Sequence, residues 1–292
     1  MKTLGIILAA GKSSRLYPST LVTTKQLLPI YDKPLIYYPL STLMLAGIRD
    51  VVIIVSPNEV SQFRKLFADS RETLGLNIKI LVQDHPRGIA DSFKIVYKQF
   101  GDNVQQYDTH ALVLGDNIYY GAGFSGLLQN INPTHANVFL YKVKNPQDFG
   151  VLEYTKGVPT NIVEKPTHFT SDLAVTGLYF YPPSVYDYVD QIKSSPRGEL
   201  EITDINRIYL DKQLLHPVKL PRGMVWFDTG SPDAMLEASN FVQTVQKHQG
   251  FMVGSPHEIA INNGWCDPEH IQHFVTLCHK TEYGKYLQQL LT

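Results

Sequence analysis

Two cysteines, Cys266 and Cys278, are all that 292 residues contain. So few thiols argue against a disulfide framework and against a thiolate-built zinc site, and they fit free thiols in a reducing cytoplasm. Long apolar runs are also missing: none approaches the roughly 18 residues of a membrane span. The N-terminus starts on a strand-like run, without the cationic, apolar and cleavage segments of a signal peptide in their order. An excess of one charge is absent too. The 26 basic and 27 acidic residues leave a net charge of −1, so no global field would draw nucleic acid or a membrane surface. The turn that follows the first apolar run, AAGKSSR, is neither GxGxxG nor GxxxxGK[ST], which disfavours a nicotinamide oxidoreductase and a P-loop enzyme. No HxxxH or ExxH spacing offers a histidine metal site. These absences leave a cytoplasmic enzyme or binding protein that works on small molecules.

What is present is alternation. LGIILAA (4–10), DVVIIVS (50–56), NIKILVQ (77–83) and HALVLGD (110–116) are apolar runs of strand length. Between them lie helical patterns at 34–47, with Pro34 at the start and Gly47 at the end, at 59–69 and near 89–100. Strands alternating with helices predict an α/β fold, a doubly wound and mostly parallel sheet that binds ligands at the carboxyl ends of its strands. ANVFLYKV, FGVLEY, NIVEKP and LAVTGLYFY follow with short connections and predict added strands, a lobe over the first sheet. GELEITDINRIYLDK (198–212) predicts a helix entered through an acidic turn. SPDAMLEASNFVQTVQKH (231–248) predicts an amphipathic helix capped by Ser231, and the last 45 residues look helical. The expected division is an α/β unit over 1–240, made of a first half at about 1–120 and the added lobe at about 121–230. A C-terminal helical region over 241–292 belongs to the same structural unit.

Three segments at predicted strand ends carry polar chemistry: AAGKSSR, QDHPRG and GDN. In the first, Gly11 leads a hydroxyl-rich turn whose backbone N–H groups can cradle an anion, and Arg15 adds a fork of donors for phosphate oxygens. A plain turn with an exposed arginine is the competing reading. Lys25, in TTKQLLP, can reach the same phosphate or face solvent. Asp116 follows a buried strand directly, and Asp228, in WFDTG, repeats the pattern. Two such carboxylates can share Mg²⁺, which prefers oxygen ligands and substrate phosphates, or each can cap a turn. In VEKP, Glu164 can accept from sugar hydroxyls and Lys165 can neutralise a phosphate, or the pair is a solvated strand end. Glu199, Glu201 and Asp204 equally suit a capping device at the positive end of a helix.

In their order along nearly the whole chain, LAAGKSSRL, TKQLLPIYDKPLIYYPLSTLMLAGI, GDNIYYG, FGVLEY, VEKP, AVTGLYFY, SPRGELEITDINRIYL and WFDTGSPDAMLEASNF resemble the sugar-1-phosphate nucleotidylyltransferases. The resemblance implies a Rossmann-like, nucleotide-diphospho-sugar transferase fold, a homotetramer, and Mg²⁺ as cofactor. It implies dTTP and glucose 1-phosphate as substrates, on the route to dTDP-deoxysugars such as dTDP-rhamnose. An oxygen of the sugar phosphate would attack the α-phosphorus and pyrophosphate would leave, with no covalent enzyme intermediate. Carried over by motif, Gly11, Ser13, Ser14, Arg15, Lys25 and Gln26 hold the triphosphate side, while Gln83 and Gly88 face the base. Gly150, Glu164, Val175 and Tyr179 line the sugar site and Lys165 holds the sugar phosphate. Asp116 and Asp228 bind the metal, and Arg15, Lys25, Asp116 and Lys165 are the catalytic set.

The chain departs from the family pattern in places. The family usually reads LAGGSGTRL, whereas here Ala10, Lys12 and Ser13 stand for Gly, Ser and Gly. If the Ser13 position has φ > 0, a side chain there costs roughly 1 kcal/mol, and Lys12 adds a cation in compensation. QPSPDGLAQAF becomes QDHPRGIADSF, which introduces Arg87 and Asp91. Asn262 replaces an arginine of the family's second, feedback nucleotide site. A non-catalytic nucleotide-sugar-binding subunit, and the same chemistry with UTP or another sugar phosphate, are the alternatives.

Overall fold

In the computed structural model, residues 1–11 and 13–292 are described; Lys12, expected to add a cation, lies outside the described residues. The elements in order are β1 (Thr3–Leu8), β2 (Pro29–Ile30), β3 (Lys33–Pro34), α1 (Tyr37–Leu45), β4 (Asp50–Val55), α2 (Val60–Leu66), α3 (Ser70–Thr73), β5 (Asn77–Val82) and α4 (Asp91–Phe100). Then come β6 (Thr109–Leu114), β7 (Asn117–Tyr120), α5 (Phe124–Gln129), β8 (Ala136–Lys142), β9 (Gly150–Thr155), β10 (Val158–Glu164), β11 (Leu173–Tyr181), α6 (Val185–Val189) and α7 (Ile202–Asp211). The chain closes with β12 (Leu215–Lys219), β13 (Val225–Asp228), α8 (Pro232–Gln249), α9 (Pro256–Asn262), α10 (Pro268–Cys278) and α11 (Glu282–Leu290).

The sheet order is β10-β9-β11-β6-β1-β4-β5, with β8 and β12 joined through β11. β5, β4, β1 and β6 are parallel; β4, β1 and β6 are apolar runs because both of their faces are covered, whereas β5 lies at the edge and exposes Asn77, Lys79 and Val82. Ile6, Val52, Ile54 and Leu112 face one layer with Phe93 and Val96 of α4 and Ile205 and Tyr209 of α7. Ile7, Val51, Ile53 and Val113 face the other, with Leu40, Leu43 and Met44 of α1 and Phe63 of α2. Two covered faces make the sheet doubly wound, as the alternation predicts.

Three expectations are corrected. The later strands do not form a lobe over the first sheet: β11 pairs antiparallel with β6 (Leu178↔Val113, Tyr179↔Leu112), so they extend the same sheet sideways. The helix expected from residue 34 starts at Tyr37, because Pro34 pairs with Pro29 in a two-residue ribbon and Leu35 N–H donates to Leu28 C=O. A division at residue 240 would cut α8, which runs unbroken to Gln249 and ends at Gly250 in the left-handed region (φ 75°). Ser231 caps α8 as expected, its side chain accepting from Ala234 N–H at 3.2 Å. The C-terminal helices pack back on the α/β core, α9 against α1 and α10 against α3. Among the described residues no helix is long and apolar enough to cross a membrane.

Candidate active site

The opening loop leaves β1 at the carboxyl edge of the sheet. Ser13 sits there in the left-handed region, φ 49° and ψ 30°, before a short 3₁₀ turn that carries Ser14 and Arg15. Thr20 Oγ1 donates to Ser13 C=O at 2.9 Å and holds the turn. The conditional cost attached to Ser13 therefore applies. Ser13→Gly is expected to stabilise the protein by about 0.5 kcal/mol, the steric relief exceeding the extra entropy of an unfolded glycine. Chemical denaturation, read at the midpoint with an unchanged slope, checks it.

Lys25 opens a second 3₁₀ turn, and its ammonium contacts Asp116 Oδ2. Gln26 is buried next to it and accepts from Thr24 Oγ1 through Oε1. Asp116 ends the β6 segment, and Asn117 of β7 pairs in register with Asp228 of β13. Thr229 tightens this junction, since its N–H and Oγ1 both donate to the Asp116 carbonyl, at 3.1 and 2.8 Å. The two aspartates, 112 residues apart in sequence (228 minus 116), are thereby stitched together.

Asn117 sets how Asp116 points. Its Oδ1 accepts from Trp226 Nε1 (2.6 Å), Gly177 N–H (3.2 Å) and Tyr119 Oη (3.3 Å), and its Nδ2 donates to Asp116 Oδ1 at 3.0 Å. Burial, the largest single effect, opposes charge on Asp116, but the Lys25 charge and the hydrogen bonds from Lys25 and Asn117 together outweigh it and hold the carboxyl below its ordinary value. Asp228 goes the other way. Crowding by protein atoms, and then the charge of Asp116, push it up to about 6, against the pull of Lys25, Arg15 and Lys165. Asp228 keeps exposed surface on the cleft, so water screens part of this effect. Arg15 is close by: a methyl group on Gly230 would lie 3.4 Å from Asp228 Oδ1 and 3.7 Å from Arg15 Nη2. Two carboxylates, one raised by the other, form a donor set whose repulsion a hard divalent cation relieves. Mg²⁺ fits it; among the described residues no group of three His, Cys, Asp or Glu offers a fuller cage.

Next to the aspartates lies a cavity of about 180 Å³, lined by Gly150, Glu164, Lys165, Val175, Tyr179 and Asp228 among others. Glu164 and Gly150 are register partners in β10 and β9, and Thr203 Oγ1 donates to Glu164 Oε2 at 2.6 Å. Lys165 is held at φ 45° by its N–H bond to the Phe149 carbonyl (3.0 Å), a left-handed lysine at the mouth of a site. The cavity is smaller than the roughly 300–1,000 Å³ of whole-ligand pockets, which suits one part of a two-part ligand.

Gln83 is not part of this cavity. It lies at the end of β5 in a neighbouring cleft with His85, Arg87 and Asp91. Gly88 (φ 99°) lies between the two, where a Cβ would stand 2.4 Å from the Leu200 carbonyl oxygen, so its place is set by the tight backbone contact between segments 87–90 and 200. The sequence reading missed Asn117, Trp226, Arg197, Thr203 and Asn206 on the cavity wall. It read the acidic turn as a capping device, but Glu201 at the N-cap position makes no cap bond. Its Oε1 instead accepts from Ser195 Oγ at 2.7 Å and Arg197 Nη2 at 2.9 Å. The arginine within SPRGELE was the available signal.

Residues 4–245 match the nucleotidyl transferase family. The glucose-1-phosphate thymidylyltransferase of Neisseria meningitidis serogroup A is 47% identical over 290 residues, 98% of this chain and 99% of that protein. The Mycobacterium tuberculosis enzyme of the same name is 44% identical over 289 residues, 98% of each chain. Among solved structures, a glucose-1-phosphate thymidylyltransferase from Bacillus anthracis in complex with sucrose superposes with a TM-score of 0.73 at 34% identity, covering 82% of this chain and 94% of that one. A UDP-glucose pyrophosphorylase complexed with UDP-glucose shares the fold, with a TM-score of 0.70 at 22% identity over 84% of this chain and 99% of that one.

Proposed function

The chain belongs to the nucleotidyl transferase family, and from that premise we propose that it joins glucose 1-phosphate to dTTP, releasing pyrophosphate and dTDP-glucose. The observation that carries this reading is the convergence of Arg15 and Lys25 from the N-terminal stretch, and Lys165 from a distant one, on the paired aspartates Asp116 and Asp228.

The strand order lays out the substrates. Gln83 at the end of β5 stands two strand spacings, roughly 10 Å, from the β1 loop, a span suited to a base and its phosphates. β6 follows with Asp116, and then β11, β9 and β10 with the sugar cavity. In this reading the backbone of Gly11, Ser13 and Ser14 and the side chains of Arg15, Lys25 and Gln26 hold the triphosphate. Gln83 and Gly88 meet the base. Glu164 accepts from sugar hydroxyls alongside Gly150, Val175 and Tyr179, and Lys165 and Arg197 supply positive charge for the sugar phosphate.

The chemistry is a displacement at phosphorus. An oxygen of the sugar phosphate forms the new bond to the α-phosphorus, and the bond to the β-side bridging oxygen breaks, its electron pair leaving with pyrophosphate. No proton transfer is required, so positioning and charge neutralisation account for catalysis. Arg15 and Lys25 offset the charge that builds on the departing pyrophosphate, and Lys165 orients the attacking group. Asp116 and Asp228 would hold Mg²⁺, which supplies further neutralisation of the phosphate oxygens.

We place this enzyme in the cytoplasm, where its two free cysteines suit a reducing compartment, as a homotetramer on a route to dTDP-deoxysugars. Asn262, the last residue of α9, brings no charge where the family usually has an arginine. Feedback inhibition by dTDP-rhamnose is therefore expected to be weak; inhibition at low micromolar concentration in an added-product titration would overturn this. The test of the reaction is pyrophosphate release with Mg²⁺, glucose 1-phosphate, and dTTP or UTP in parallel. Fast release with dTTP that needs both sugar and metal supports it. Silence with both nucleotides despite measurable dTTP binding would point instead to a non-catalytic binding subunit or to a different sugar phosphate.

A further inference from the structure

The cleft at the end of β5 holds a buried polar pair of which the proposed reaction uses only one member, Gln83. Gln83 and Asp91 are 5% and 7% exposed, and Gln83 Nε2 donates to Asp91 Oδ2 at 2.9 Å. A carboxamide by itself has no fixed polarity, because half a turn about its last torsion exchanges oxygen and nitrogen with almost no change of shape. Asp91 removes that freedom. A carboxylate accepts and cannot donate, so only Nε2 can face it.

Asp91 is itself held firmly. It is the first residue of α4, and the loop before it is clipped to the segment ahead of α7, with Leu200 N–H donating to the Arg87 carbonyl (2.7 Å) and Ala90 N–H to the Leu200 carbonyl (3.2 Å). Once one Nε2 hydrogen is committed to Asp91, Gln83 retains Oε1 and the other N–H. Oε1 has no protein partner among the described residues and is not sealed from solvent.

We propose that Asp91 is a positioning residue for base selection: it locks the Gln83 carboxamide in one polarity, so that the site takes a base with an imide N–H beside a carbonyl and rejects one with a bare ring nitrogen there. Thymine and uracil present N3–H next to O4, which answer Oε1 and the free N–H. Cytosine presents a lone pair at N3 and an amino group at position 4, and at the same seat it needs the amide turned over. This rests on the reading of Gln83 as the residue that meets the base.

Asp91→Asn tests the lock with almost no change of shape. Asparagine keeps a hydrogen bond to Gln83 but can either accept or donate, so the bond survives while the polarity is freed. The readout is the ratio of kcat/KM for dTTP to that for dCTP, with glucose 1-phosphate and Mg²⁺. The ratio is expected to fall about tenfold in Asp91→Asn and to stay near wild type in Asp91→Glu, which is again acceptor-only. A merely structural role would move both substrates together and leave the ratio alone. If the ratio is unchanged in Asp91→Asn but collapses in Gln83→Leu, Gln83 meets the base and Asp91 does not set its polarity, so the proposal fails. If Gln83→Leu also leaves it unchanged, the base lies elsewhere and the reading of Gln83 fails with it. Should Asp91→Asn not fold, Asp91→Ser, whose hydroxyl also accepts or donates, replaces it with the same expected fall.

Discussion

Asp116→Asn is expected to lower kcat by about a hundredfold or more, with a much smaller change in KM for either substrate. The substitution keeps the shape of the side chain and removes its charge, and that charge has two uses in the site. It balances the Lys25 ammonium, whose side chain is only 10% exposed, and it supplies half of the anionic donor pair. Asn117 Nδ2, which now donates to Asp116 Oδ1, would face an amide that presents either an oxygen or a second NH₂. Lys25 would lose its fixed anchor at the point where pyrophosphate charge develops. Because the triphosphate still has Arg15 and the loop backbone to bind it, the loss belongs in kcat rather than in substrate affinity. Steady-state pyrophosphate release at saturating Mg²⁺, with a thermal melt to confirm folding, measures the effect. Full activity in this variant would remove Asp116 from the reaction and leave the Lys25 contact as a structural ion pair.

The parts of this site that the sequence makes legible share a physical origin. β1, β4 and β6 are buried on both faces, so they appear as continuous apolar runs, and the polar residues that end them mark the ligand edge of the sheet without help from any neighbour. Gly11 to Arg15 and Asp116 were found that way. What stayed hidden depends on pairing across the chain. Arg197 meets Glu164 at 3.4 Å over 33 residues of separation, and nothing local in either segment says so. Asn117 looks like an ordinary turn residue until Trp226, Gly177 and Tyr119 are seen to converge on it. The antiparallel join of β11 to β6 was read as a separate lobe because a strand's own pattern does not name its partner. The two-residue ribbon at Pro29 and Pro34 is too short to show any period, which is why α1 was expected three residues early. The strain at Ser13 was legible as a condition, and the structure supplied the φ that fulfils it.

Asp228→Asn should have opposite effects on activity and on the stability of the metal-free protein. Activity is expected to fall about a hundredfold, as for Asp116, since one anionic donor is lost. Stability without Mg²⁺ is expected to rise. The Asp228 carboxyl is raised to about 6 in the folded chain by crowding and by Asp116, above its ordinary 3.8. The folded state therefore binds this proton more tightly than the unfolded state does. Its contribution to stability is fully present below about pH 4 and is lost as the pH rises through about 6. Above that, a charged Asp228 sits against Asp116 at a cost that water in the cleft only partly screens, and asparagine removes the cost. Melting temperatures of the metal-free proteins should thus coincide near pH 4, provided both remain folded there, and separate in favour of Asp228→Asn by pH 8. Adding Mg²⁺ should reverse the order at pH 8: a cation that binds the folded wild type raises its stability by mass action, whereas the variant has given up half of its donor pair. A crossing of the two melting curves with Mg²⁺ ties the strain at Asp228 to metal binding. Lower stability of Asp228→Asn at pH 8 without metal would instead mean that the Asp228 charge is held by Arg15, Lys25 and Lys165 more strongly than Asp116 repels it.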